Sequence, residues 1–163
     1  MTEPARFLFD ECLARPVVEN QVVQLFRLYG AENEVAHLFT KFDPGTKDEV
    51  WIPQLASEGG WIIITTDQGK QSKKGQKLPE ICREFRVTHI MLSTKLHTRN
   101  MYTKVLAIQH CLPSIMDVVT SPPGSGFLLQ LSGADKFCLK KRTEALPPLN
   151  RTTGPQKSLF GSS

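Results

Sequence analysis

An α/β fold built on a central parallel sheet is predicted by three observations. Short β-rich runs alternate with helical patterns along most of the chain. The best strand, WIIIT at 61–65, is apolar and β-branched throughout, as a strand covered on both faces is. Acidic residues sit just after strands or at the start of a helix, not within the apolar runs. A β-α-β-α order gives parallel strands with helices on both faces and right-handed crossovers, and sites in such sheets form beyond the carboxyl ends of the strands.

RFLF at 6–9 is the first strand and ends at Asp10. From Arg15 to Tyr29, Val18, Val22, Leu25, Phe26 and Tyr29 recur at helical spacing, and Gly30 stops that helix. Glu34 to Leu38 is a second strand, followed by a loop over Phe42–Gly45. Thr46 to Glu58 reads as a helix opened by a Thr46/Glu49 capping box, which Pro53 should kink or shorten and Gly59-Gly60 ends. Strand 61–65 runs into Thr66 and Asp67, and the polar, lysine-rich stretch Gln68–Lys77 is a loop.

Leu78–Phe85 is a short helix and Thr88–Leu92 a fourth strand. Residues 100–111 form a helix through Met101, Val105 and Ile108, continued over Ile115–Val119 after Pro113. Ser121-Pro122-Pro123-Gly124 breaks the chain, and Phe127–Leu131 with Lys136–Leu139 then form a β-hairpin. The expectation is an α/β/α sandwich of about four central strands plus that hairpin. Its domain spans 1–142, and a Pro-, Gly- and Ser-rich tail at 143–163 is expected to be disordered.

Composition excludes several classes. At 40% apolar residues the chain is ordinary for a soluble protein, and no apolar run approaches the ~20 residues of a membrane helix. The start, MTEPARFLFDE, is unlike a signal peptide, and a cytoplasmic location is expected. Cys12, Cys82, Cys111 and Cys138 are too scattered for a zinc site or a disulfide framework, so reduced thiols are expected.

Three separated segments carry carboxylates to one edge of this fold. Asp10 and Glu11 follow the first strand, Asp67 follows the third, and Asp48 and Glu49 open the helix that feeds the third. Gathered carboxylates repel one another and need a counter-charge, and all-oxygen donor sets suit Mg²⁺ or Mn²⁺. A divalent cation there could activate water against a phosphodiester. Lys70, Lys73, Lys74 and Lys77 leave the same edge, where they could hold a phosphate backbone. Thr65 and Thr66 could orient a ligand or a water, or simply be β-branched strand residues. Lys140, Lys141 and Arg142 form a second basic cluster within a net charge of +4.

Each residue also has a plainer role. Asp is common in turns, Glu49 could simply cap a helix, Asp48 could favour its dipole, and lysine runs are often solvated loops. The convergence of the segments favours Asp10, Asp48 and Asp67 as ligands over Glu11 and Glu49. Asp43 could reach the site from its loop, and a lone histidine such as His37 is more often a structural hydrogen-bonder.

The segments RFLFDECL (6–13), HLFTKFDPGTKDEVWIPQLASEGGWIIITTD (37–67) and THIMLS (88–93) resemble the PIN-like nuclease superfamily, in particular its bacterial VapC-type toxin branch. The resemblance implies a parallel α/β/α sandwich, Mg²⁺- or Mn²⁺-dependent endoribonuclease activity, a cognate antitoxin and a homodimer. It also implies Asp10, Asp48 and Asp67 as metal ligands, with Glu11 as an adjacent polar contributor. The chain departs from the pattern twice: Cys12 stands where an Asn is usual, and Gln68, Gly69 and Lys70 stand where another acid is common.

Two other readings share the fold. A phosphoacceptor receiver domain would use an acidic pair, an Asp and Mg²⁺, with Ser93, Thr94 and Lys95 as switch residues. A non-catalytic RNA- or partner-binding module would keep the surface without the chemistry.

Overall fold

The computed structural model describes residues 4–66, 77–132 and 136–142. A six-stranded sheet runs through it in the order β2-β1-β3-β4-β5-β6. Strands β1 (Arg6–Phe9), β2 (Glu34–His37), β3 (Trp61–Thr65), β4 (Thr88–Leu92) and β5 (Gly126–Leu131) are parallel, and β6 (Phe137–Lys141) pairs antiparallel with β5. The α/β fold class is therefore as expected, and the hairpin is part of the sheet: its first strand is the fifth parallel strand. The turn of that hairpin at 133–135, the lysine-rich stretch 67–76 and the tail from 143 lie outside the described residues.

Side-chain alternation divides the interior into two cores. Phe7, Phe9, Ile62, Ile64, Ile90 and Leu92 face one side. There they meet Val18, Val22 and Phe26 of the first helical stretch: α1 (Arg15–Val17), a π-helical turn (Val18–Val22) and α2 (Val23–Arg27). Phe26 stacks edge-on against both Phe7 and Phe9, with centroids 4.7 and 5.9 Å away. On the other side Leu8, Trp61 and Ile63 meet Trp51, Ile52 and Leu55 of α4 (Asp48–Glu58) and Ile81 and Cys82 of α5 (Leu78–Glu84).

After β4 the chain forms α6 (Thr94–His97), α7 (Met101–His110), α8 (Leu112–Asp117) and a 3₁₀ turn (Val118–Thr120). Leu96, Ala107, Ile108, Leu112 and Ile115 enter the first core, beside α1 and α2. The step from β3 to β4 moves the same way along the sheet but crosses the second core, through α5. The two crossovers therefore have opposite hands, a departure from the uniformly right-handed expectation. This route adds α6, α7 and α8 to the cover of the first core and brings α7 to the turn after β1.

Local differences have local causes. β2 stops at His37, one residue early, because the His37 ring accepts the Phe39 N–H at 3.1 Å and starts a short helix, α3 (Leu38–Lys41). The expected Thr46/Glu49 capping box does not form: Thr46 bonds back to the Asp43 carbonyl at 2.7 Å, and Lys47 is the N-cap of α4 without a side-chain cap. Pro53 does not shorten α4, which keeps all eleven residues from Asp48 to Glu58. The buried Trp51, Ile52 and Leu55 hold it against the sheet despite the one backbone bond a proline removes. Gly59 and Gly60 end it at φ values of 77° and 76°, which strain any residue with a Cβ.

Candidate active site

The strand order reverses at β1: the chain steps outward to β2 and returns past β1 to β3. A crevice opens at such a switch point, beyond the carboxyl ends of the two strands. Asp10 sits at that end of β1, and its N–H donates to the Ile64 carbonyl of β3 at 3.1 Å. Asp10 thus joins the two strands that flank the crevice. Thr66, half-buried, follows directly on the β3 side.

The turn after β1 is pinned from several directions. The Asp10 carboxylate accepts the Cys12 N–H at 2.8 Å through Oδ1. The Cys12 thiol donates to the Ile64 carbonyl at 3.6 Å. His37 Nε2 lies 2.9 Å from the Leu13 carbonyl, and since its Nδ1 already accepts the Phe39 N–H, Nε2 carries the proton and donates. Burial holds His37 below the usual histidine range, in keeping with a neutral ring that braces the loop. From the first core the ammonium of Lys104, on α7, donates to the Cys12 carbonyl at 3.2 Å. Asp10 is buried and Glu11 beside it is exposed.

Asp48 is the first residue of α4, whose N-terminus lies toward the carboxyl edge because α4 runs back to meet the start of β3 at Trp61. One turn on, the Trp51 indole N–H donates to Asp48 Oδ1 at 3.0 Å. The carboxylate is aimed by a side chain that is itself buried in the second core. Glu49 is exposed in the same first turn, and Asp43 is exposed in the preceding loop. Lys77 is exposed at the N-cap of α5. Asp67, Lys70, Lys73 and Lys74 lie outside the described residues.

Behind the crevice, Thr65 Oγ1 and His89 Nε2 lie 2.7 Å apart, both buried. His89 Nδ1 faces Arg142 Nη2 at 3.5 Å. A guanidinium only donates, so Nδ1 is the acceptor and Nε2–H donates to Thr65. Burial, reinforced by the Arg142 charge, lowers the His89 pKa to about 3. The end of β3 is thereby tied through β4 to the end of β6.

The donor chemistry fits a hard cation. Asp10 and Asp48 offer carboxylate oxygens, each oriented by a neutral N–H in the manner of outer-shell partners at metal sites. The soft donor nearby, the Cys12 thiol, is buried and turned to the Ile64 carbonyl, and burial and Asp10 push its pKa well above the usual thiol range. Among the described residues, no three His, Cys, Asp or Glu side chains form a metal-binding group. The third carboxylate expected at this edge, Asp67, lies outside the described residues. Ser93, Thr94 and Lys95 follow β4, where Ser93 Oγ accepts the Leu96 N–H at 3.2 Å and caps α6.

Sequence reading missed Trp51, Lys104 and His89, the partner of Thr65, as site supports. Two signals were available: the Asp48/Trp51 spacing of one helical turn, and a lysine at the core-facing register of the 101–110 helix.

The model of one family, described as a PIN-like domain, matches residues 5–93, more than half of the chain. No curated protein and no solved structure matches. Among the described residues, no helix is long and apolar enough to cross a membrane.

Proposed function

The chain belongs to the PIN-like domain family, and from that premise we propose that it is a metal-dependent endoribonuclease acting as the toxin of a toxin–antitoxin pair. The observation that carries the reading is the pair of oriented carboxylates, Asp10 at the β1/β3 switch point and Asp48 at the start of α4. With Asp67 they would hold Mg²⁺ or Mn²⁺. When bound, the ion supplies Lewis-acid activation of the attacking water and neutralises charge on the phosphate. Asp10, Asp48 and Asp67 would hold the ion, with Glu11 and Glu49 as adjacent polar contributors and Thr66 orienting a ligand or water. Lys77, with Lys70, Lys73 and Lys74, holds the flanking phosphates.

The partners in this reading are an RNA substrate and a cognate antitoxin protein, with a homodimer as the assembled form. The receiver-domain reading gains nothing, because the Ser93 hydroxyl is engaged as a helix cap. The binding-module reading rests on Gln68-Gly69-Lys70 replacing an acid, and it predicts RNA binding without products.

Incubating the purified protein with mixed cellular RNA and Mn²⁺, beside an Asp10→Ala/Asp67→Ala control, decides between the two. Discrete products that vanish with EDTA and in the double variant support the nuclease. Bound but intact RNA at every metal concentration leaves the binding module. Growth arrest on expression, relieved by the same substitutions, tests the toxin assignment.

A further inference from the structure

Lysine is rarely buried without a charge to answer, yet Lys104 is only 7% exposed. It occupies the core-facing stripe of α7 with Ala107 and Ile108, where an apolar residue is expected. Its ammonium does not stop in the core but reaches the Cys12 carbonyl at 3.2 Å. The N–H of that same residue donates to the Asp10 carboxylate at 2.8 Å. Ammonium and carboxylate thus grip the two polar ends of one residue.

A hydrogen bond to a neutral carbonyl is a poor return for desolvating an ammonium. A neutral donor such as Gln would serve the carbonyl at less cost. The carboxylate linked to the ammonium, through the two ends of Cys12, is that of Asp10. Assembled carboxylates repel one another until a cation arrives, and a fixed ammonium beside them relieves that repulsion in the empty state.

We propose that Lys104 is a positioning residue and permanent counter-charge for the carboxylate crevice, holding the Cys12 carbonyl while its charge offsets that of Asp10. The proposal rests on Asp10 lying in the crevice, as read above, but its main test needs neither cleavage nor metal. It also carries a sign: a positive charge beside a cation site weakens cation binding, so removing it tightens binding. A group that merely braced the loop would do the reverse, because loosening a ligand weakens its metal.

The experiment uses Lys104→Gln, which keeps a donor for the Cys12 carbonyl and removes the charge, with Asp10→Asn and the double variant, all in the full chain. Thermal unfolding in EDTA gives a double-variant cycle. The drop in Tm caused by Lys104→Gln should shrink by about 2–4 °C or more when Asp10 is already Asn. Titration with Mn²⁺ should show Lys104→Gln binding about threefold or more tightly than the wild type. Additive Tm changes, or Mn²⁺ binding that is unchanged or weaker, overturn the proposal. If the wild type binds no Mn²⁺, the metal reading fails by itself and the cycle in EDTA still decides the counter-charge. Should Lys104→Gln not fold, Lys104→Met, which fills the stem's place in the core, takes its part in the same cycle.

Discussion

Trp51 donates its indole N–H to the Asp48 carboxylate at 3.0 Å, one turn along the same helix. The ring is buried in the second core, so the packing of α4 sets the direction of a site carboxylate. Trp51→Phe retains an aromatic ring there and removes the donor. Outer-shell losses of this kind typically cost 10–100-fold in metal affinity or activity. Trp51→Phe is expected to weaken Mn²⁺ binding by about tenfold or more, with circular dichroism unchanged. Unaltered binding would show that the indole does not aim Asp48.

Stability should fall as the pH drops below neutrality. The folded-state pKa of His89 is lowered to about 3 by burial and by Arg142. In the unfolded chain its value is near ~6.5. The unfolded state therefore binds a proton that the folded state refuses, and linkage makes stability rise with pH across that window. The contribution is fully present above about pH 6.5 and is lost as pH falls toward about 3. His37, also lowered by burial, acts in the same direction. His89→Gln should flatten the decline in Tm between pH 7 and pH 4. An identical slope in the variant would remove His89 as its source.

The first core should be sensitive at Phe26, which stacks edge-on against both Phe7 and Phe9. Those two residues lie on the strand that ends at Asp10. Phe26→Ala is expected to lower the unfolding free energy by about 3–5 kcal/mol, measured by urea denaturation. A loss under about 1 kcal/mol would mean that the site collapses around the cavity.

Lys77 and its lysine neighbours in the sequence should act on RNA through phosphate charge alone. Replacing Lys70, Lys73, Lys74 and Lys77 by Gln is expected to reduce the slope of log K against log salt by about 0.7 for each single-strand phosphate that is no longer neutralised. The weakening should be uniform across RNA sequences. A slope that does not move would place the RNA elsewhere.

Much of this was legible in the sequence, for physical reasons. WIIIT could only be a strand buried on both faces, and it is, residue for residue. Thr88–Leu92 was legible in the same way. The places of Asp10 after β1 and of Asp48 at the start of α4 followed from topology, since the end of a parallel strand and the start of the helix leading to the next strand lie at the same rim. What escaped depends on contacts between distant segments. α3 and α6, four residues each, are too short for a periodic signal and are set by the caps His37 and Ser93. The Thr46/Glu49 pattern suited a capping box, but Thr46 satisfies itself on Asp43. Lys104 went unremarked because periodicity assigns a residue a face and not a partner ninety-two positions away.

The most direct test of the central claim is the rate of cleavage of a labelled RNA followed across a Mn²⁺ titration, for the wild type and Asp48→Asn. The account predicts a rate that saturates with Mn²⁺ for the wild type and falls by about 100-fold or more for Asp48→Asn, which keeps the Trp51 bond but loses the charge. Equal rates in the two proteins, or cleavage that persists without metal, would contradict it.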